Sequence, residues 1–321
     1  MNKLPLVLST LALTLAACTG RSTPAPTAPA ATTGTINGVR VQSATSYQFG
    51  FTPLSGTELV TTATLKDVTV KQLSAGQATA RVCGNVQAQD VITAAISLDS
   101  TGSMADNDPG RLRNTAAKAF VDRMTAADQA AVLSFDAGTA PTTGMLAARL
   151  WQTFTSDKTK LAAAVNQATF ERGGTPLYDA MIDTSRLLKA TGKTNVRALI
   201  LTDGENNSGT NNGAAVVTAA NTNGTPMYII GLDAQNNLDF TAAEDIAART
   251  GGLFQRATTA DQLGGFFDRM YNAFRAQGCV ELNFTTKPAS GTSVTGTLNI
   301  VVAAAGKKDS AVQVPFTVTV R

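Results

Sequence analysis

The chain has 321 residues, 43% hydrophobic and 15% charged, enough apolar material for at least one sizeable core and too much for a disordered or collagen-like protein. Lys plus Arg is 26 against 23 for Asp plus Glu, and aromatics are only 6%, so there is no electrostatic case for nucleic acid. The sequence contains no His, which excludes Ser-His-Asp and Cys-His nucleophiles and any His-ligated metal, and leaves Asp, Glu, Ser and Thr oxygens, the ligands of hard cations.

Residues 1–17 read as a signal peptide: Lys3 gives a weakly positive start, and residues 4–17 are apolar but too short to span a bilayer. The segment ends in Leu15-Ala16-Ala17-Cys18, which resembles a bacterial lipobox. The resemblance implies a mature chain starting at a lipid-modified Cys18, anchored in the cell envelope and facing the periplasm or the cell surface. The competing reading is an ordinary signal peptide cut elsewhere. Residues 18–34 follow as a flexible tether with Pro24, Pro26 and Pro29 among small residues, unable to contribute to a core.

Residues 35–82 show short alternating runs punctuated by Gly, Ser and Pro (47–51, 59–65, 68–73 and 78–82), and residues 280–321 show more (280–284, 294–302 and 312–320). Neither flank makes a comfortable sheet domain alone. Together they match a seven-strand sandwich, which predicts one discontinuous all-β sandwich rather than two separate β-extensions. Cys83 and Cys279 bracket the stretch between the flanks. Outside the cytosol they are expected to form a disulfide that staples the two ends of that stretch; the alternative is two buried thiols.

Between the flanks, residues 83–279 alternate strands and helices. Residues 91–98 (VITAAISL) form a continuous apolar run, as a buried parallel strand does. A helix over 112–124, a strand over 130–135 and an antiparallel edge strand within 145–154 come next. A helix over 158–168, with Ser156 as its cap, precedes a second over 176–188 that starts at Pro176. Strands at 196–201 and 227–232, a short one at 253–255, and helices at 214–221, 242–249 and 261–274 complete the pattern. The expectation is an α/β domain with a mostly parallel sheet covered on both faces, inserted in the sandwich.

Three loops carry the chemistry: Asp99-Ser100-Thr101-Gly102-Ser103 after the first strand, Gly173-Gly174-Thr175-Pro176 before a helix, and Thr202-Asp203-Gly204 after the strand VRALIL. In an open parallel sheet, ligands bind beyond the carboxyl ends of the strands where the strand order reverses. If the strands before Asp99 and Asp203 are neighbours, two carboxylates and the hydroxyls of Thr101, Ser103 and Thr175 converge. A divalent cation would stabilise such an all-oxygen cluster. Each motif alone is weak, since each also occurs in ordinary turns; the three in order are specific.

Across about residues 86–276 the sequence resembles the von Willebrand factor type A domain with its metal-ion-dependent adhesion site, in ISLDSTGSM, RGGTPLYDAM, LILTDGENN and ARTGGLFQRATTADQL. The resemblance implies a Rossmann-like fold with a six-stranded sheet and one antiparallel edge strand. It also implies a metal site of Asp99, Thr101, Ser103, Thr175 and Asp203, holding magnesium, or else manganese or calcium. Thr101 departs from the commoner Ser. The implied function is binding of a protein or peptide whose Asp or Glu completes the metal shell. Asp106 and Asp108 are candidates for the site's rim, each with a plainer reading as a solvated turn. Asp136 is a candidate support behind the ligands, and Glu205 and Asn206 are candidate ligand contacts. An enzyme with an Asp nucleophile is disfavoured, because the acid/base position two residues after Asp99 is Thr101. The other rival is a structural or accessory envelope subunit whose metal site is only stabilising or inactive.

Overall fold

The computed structural model describes residues 28–89, 91–204, 206–259 and 261–321. The signal peptide, Cys18 and most of the tether lie outside the described residues. The N-terminal flank forms β1 (Thr33–Val41), β2 (Ser46–Ser55), β3 (Glu58–Leu59), β4 (Thr64–Leu73) and β5 (Gln77–Ala88). The central domain runs β6 (Thr93–Asp99), α1 (Met104–Asn107), α2 (Leu112–Arg123), β7 (Gln129–Phe135), β8 (Ala148–Thr155), α3 (Lys158–Gln167) and α4 (Leu177–Ala190). It continues with β9 (Val196–Thr202), α5 (Gly213–Asn223), β10 (Met227–Leu232), α6 (Thr241–Thr250), β11 (Phe254–Ala257) and α7 (Asp261–Arg275). The C-terminal flank supplies β12 (Ala276–Thr286), β13 (Ser293–Ala303) and β14 (Ser310–Thr319).

The central sheet has six strands in the order β11-β10-β9-β6-β7-β8, with β8 antiparallel to β7 and the other pairs parallel. Every residue of β6 and β10 is buried, which is why these strands read as unbroken apolar runs and not as alternation. One core packs α2, α3 and α7 on one face, with Phe120, Phe266, Phe267 and Phe274 buried. The other packs α4, α5 and α6 through Met181, Val216 and Ile246. Asp157, not Ser156, caps α3: its carboxylate accepts from Thr159 N at 3.0 Å and Lys160 N at 3.1 Å. The carboxylate reaches the first free N–H groups from the position directly before the helix, one residue nearer than Ser156.

The flanks do build one sandwich. One sheet has the order β1-β2-β12-β5, with β3 beside β2, and the other the order β14-β13-β4. Strands from both chain segments interleave, and the two inner faces share one core in which Phe49 meets Phe316 at 5.1 Å between ring centroids. The sandwich is longer at its junctions than the expected boundaries at 82 and 280. β5 continues to Ala88, and β12 begins directly after α7. The Cys83–Cys279 disulfide therefore ties adjacent sandwich strands, with Cα atoms 5.0 Å apart, and does not close the ends of the central domain.

Two further expectations change. Residues 59–65 are not a strand: β3 stops at Leu59, and Ala63 N turns back to Val60 O before β4 starts. The tether also ends earlier than Gly34. Ala30 and Ala31 are buried in the sandwich core, and Ala30 N donates to Lys308 O at 2.7 Å while Lys308 N donates to Ala28 O at 2.9 Å. Small side chains cannot build a core but can fill a groove in one once the backbone is paired.

Candidate metal centre

β6 and β9 are neighbours, with Leu98 paired to Leu201. From β6 the chain crosses to β7 on one side, and from β9 it crosses to β10 on the other, so the strand order reverses between them. Asp99 at the end of β6 and Asp203 just past β9 emerge into that crevice, and both are fully buried.

Three loops lock together around them. Arg172 N donates to Ser100 O at 2.8 Å and Gly102 N to Gly173 O at 3.0 Å, joining the first loop to the second. Ser100 also donates its hydroxyl to Ala168 O at 2.5 Å. Thr202 Oγ1 donates to Asp99 Oδ2 at 2.6 Å, joining the third loop to the first. Asn107 Nδ2, on α1, donates to Asp203 Oδ2 at 3.1 Å. Thr101 donates to Asp99 Oδ1 through its hydroxyl at 2.6 Å and its N–H at 3.1 Å, and its hydroxyl lies 3.2 Å from Ser103 Oγ. Asp99, Thr101, Thr175 and Asp203 are buried, and Ser103 is half-buried.

The electrostatics are unbalanced. Burial, and then the neighbouring Asp203 carboxylate, push the Asp99 carboxyl up to about 7, against the pull of hydrogen bonds from Thr101 and Thr202. Asp203 Oδ1 and Thr175 Oγ1 are buried without any hydrogen-bond partner. Such atoms cost free energy unless something meets them. No three His, Cys, Asp or Glu side chains converge among the described residues, so the available donors are two carboxylates and neutral hydroxyls. That set suits a hard cation, which would relieve the repulsion of the two carboxylates and offer the orphaned oxygens a partner.

The rim candidates fall differently. Asp108 is buried and turned to α2, where it accepts from Leu112 N at 2.5 Å and pairs with Arg113 at 2.7 Å. A carboxylate four residues before Leu112 caps that helix, which its acidic neighbourhood in sequence concealed. Asp106 is exposed on α1. Asp136 is buried behind the second loop. Its Oδ1 accepts from Gly138 N at 2.7 Å, its Oδ2 has no partner, and the next residue's N–H binds Gly174 O at 2.9 Å. Glu205 lies outside the described residues. Asn206 turns inward and accepts from Tyr178 N at 3.1 Å. Thr202 and Asn107 hold the two carboxylates and carry no sequence signal for that role beyond their place beside the motifs.

Residues 95–205 match the family model of the von Willebrand factor type A domain. Among curated proteins nothing matches this chain. Among solved structures, the von Willebrand factor type A protein from Catenulispora acidiphila is 13% identical, over 88% of this chain and 72% of that one, with a TM-score of 0.43. The pilus adhesin SpaC of Lactobacillus rhamnosus GG is 11% identical over 86% of this chain and 47% of its own, with a TM-score of 0.44. An aerotolerance-related membrane protein from Bacteroides fragilis is 18% identical over 56% of this chain and 98% of its own, also at 0.44.

Proposed function

We propose, for a chain that carries a von Willebrand factor type A domain, that it is a non-catalytic binding protein of the bacterial cell envelope which takes a protein ligand through a divalent cation. The observation that carries this reading is the pair of orphaned buried oxygens in the joined loops, Thr175 Oγ1 and Asp203 Oδ1, together with the Asp99 carboxyl that burial and then Asp203 push upward. Asp99, Thr101, Ser103, Thr175 and Asp203 would hold the cation, magnesium in the first place and manganese or calcium as alternatives. Bound there, the cation supplies positive charge that an Asp or Glu of the partner can meet. The chain's own residues do the rest. Thr101 and Thr202 fix both oxygens of Asp99, Asn107 fixes one oxygen of Asp203, and the tightly joined loops keep the site shaped before the partner arrives.

No helix among the described residues is long and apolar enough to cross a membrane. A lipid on Cys18 is the proposed anchor. Residues 28–31 bind Lys308 and Ser310 at the end of the sandwich where Leu65 reaches Asn85 and β5 passes toward β6.

The test is capture of envelope proteins on immobilised protein with magnesium, with EDTA, and with the Asp203→Ala variant, each checked by circular dichroism. The expected result is a partner lost with EDTA and with Asp203→Ala while the fold persists. Capture that ignores both treatments would overturn the reading. Loss of fold on chelation would favour the structural alternative.

A further inference from the structure

The segment after the third motif returns over the second one. Asn207 Oδ1 accepts from Thr175 N at 2.7 Å, while Asn207 N and Ser208 N donate to Thr175 O at 3.1 and 3.2 Å. Both faces of the Thr175 backbone are thus held by one two-residue stretch. Asn206 Oδ1 adds a bond to Tyr178 N, and a Cβ on Gly174 would lie 2.8 Å from Asn207 Oδ1, so only glycine leaves room for the amide there. The stretch is anchored in turn by Asp179, buried one turn along α4. Asp179 Oδ2 accepts from Thr210 N at 3.0 Å, and its Oδ1 accepts from Asn211 N at 3.0 Å and Asn211 Nδ2 at 2.6 Å. The Thr175 hydroxyl itself is bound by nothing. With no bond to the hydroxyl, its position follows its backbone, and this clamp holds that backbone on both sides.

We infer that Asn207 and Asp179 are positioning residues for Thr175 as a cation ligand, Asn207 by gripping its peptide and Asp179 by fixing the segment that carries Asn207. This rests on the metal reading above. Neither side chain touches the cation in this account; each governs affinity through Thr175. Groups that orient metal ligands typically change affinity by about 10- to 100-fold when removed.

The experiment is calorimetric titration of magnesium and manganese into the wild type, Asn207→Ala, Asp179→Asn, Thr175→Ala and the double variant Thr175→Ala/Asn207→Ala, with thermal melting of each in EDTA. The expected result is an affinity about 10- to 100-fold weaker in Asn207→Ala, a loss in the same direction in Asp179→Asn, and a double variant no weaker than Thr175→Ala alone. A merely structural role would instead lower the EDTA melting temperature and add fully to Thr175→Ala. Should Asn207→Ala melt early, Asp179→Asn and the non-additivity still decide the matter. Wild-type affinity in Asn207→Ala, or full additivity, overturns the clamp and leaves the metal site standing. No binding in the wild type overturns both.

Discussion

Two acidic clusters of the central domain, among its several buried carboxylates, are balanced in opposite ways. At the start of α2, Asp108 and Glu171 flank Arg113, a fully buried cation supplied by the chain itself. All four of their carboxylate oxygens have donors: Leu112 N, Arg113 and Arg111. At the sheet edge, Asp99 and Asp203 face each other with hydroxyls and one amide, no basic side chain among the described residues is paired with either, and Asp203 Oδ1 has no donor. The first cluster is finished by folding. The second is left one positive charge short, in the crevice where ligands of such sheets bind. On the proposed reading, an external cation completes the second cluster as Arg113 completes the first.

Breaking the finished cluster has the largest expected effect. Arg113→Met strands the buried Asp108 carboxylate and should cost about 3–5 kcal/mol in urea unfolding, by the same amount with magnesium and with EDTA. A cost that depended on magnesium would mean the two clusters are not independent.

The unfinished pair should show itself through pH. The unfolded Asp99 carboxyl ionises near 3.8 and the folded, cation-free one near 7. Its contribution to stability is therefore complete below 3.8 and is lost as pH rises through 7, by at most about 4 kcal/mol. The Asp128 carboxyl is held low by bonds to Thr125, Ile92, Tyr271 and Arg275, and so acts only at the acid end, outside this window. Urea unfolding in EDTA at pH 5 and pH 8 should show the loss in the wild type and not in Asp99→Asn, and magnesium at pH 8 should restore it. Equal stability at both pH values would remove the electrostatic argument for a cation.

A smaller effect separates a ligand from a packing residue. Thr175→Ala deletes an unpartnered buried hydroxyl, so in EDTA the variant should be as stable as the wild type or about 1 kcal/mol more so, while magnesium affinity falls at least about tenfold. Thr175→Ser should retain affinity. Destabilisation of Thr175→Ala in EDTA would show that the hydroxyl already has a partner in the folded chain.

What was legible in the sequence divides along physical lines. Asp99, Thr101, Ser103, Thr175 and Asp203 stand next to unbroken apolar strands or at a helix start, so a local reading singles them out as candidates, and the pairing of β6 with β9 then sets the Asp99 and Asp203 loops side by side. Thr202 and Asn107 matter because β9 lies beside β6 and because α1 turns back over the third loop, facts of the folded arrangement with no local signature. Asp108 looked like part of the acidic turn until Arg113, five residues on, claimed it. In the sandwich, alternation revealed the strands of both flanks. β1 escaped a separate assignment because its register shifts between Ile36 and Gly38, which breaks the alternation. The disulfide was expected from parity and compartment, but its place inside the sandwich depended on β5 and β12 running past the cysteines.

The most direct test of a site completed from outside is calorimetric titration of magnesium into the wild type and Asp203→Ala at pH 7.5, with both proteins shown to be folded. Saturable one-site binding is expected in the wild type and none in Asp203→Ala. Absence of binding in the wild type, or binding that survives Asp203→Ala, would contradict it.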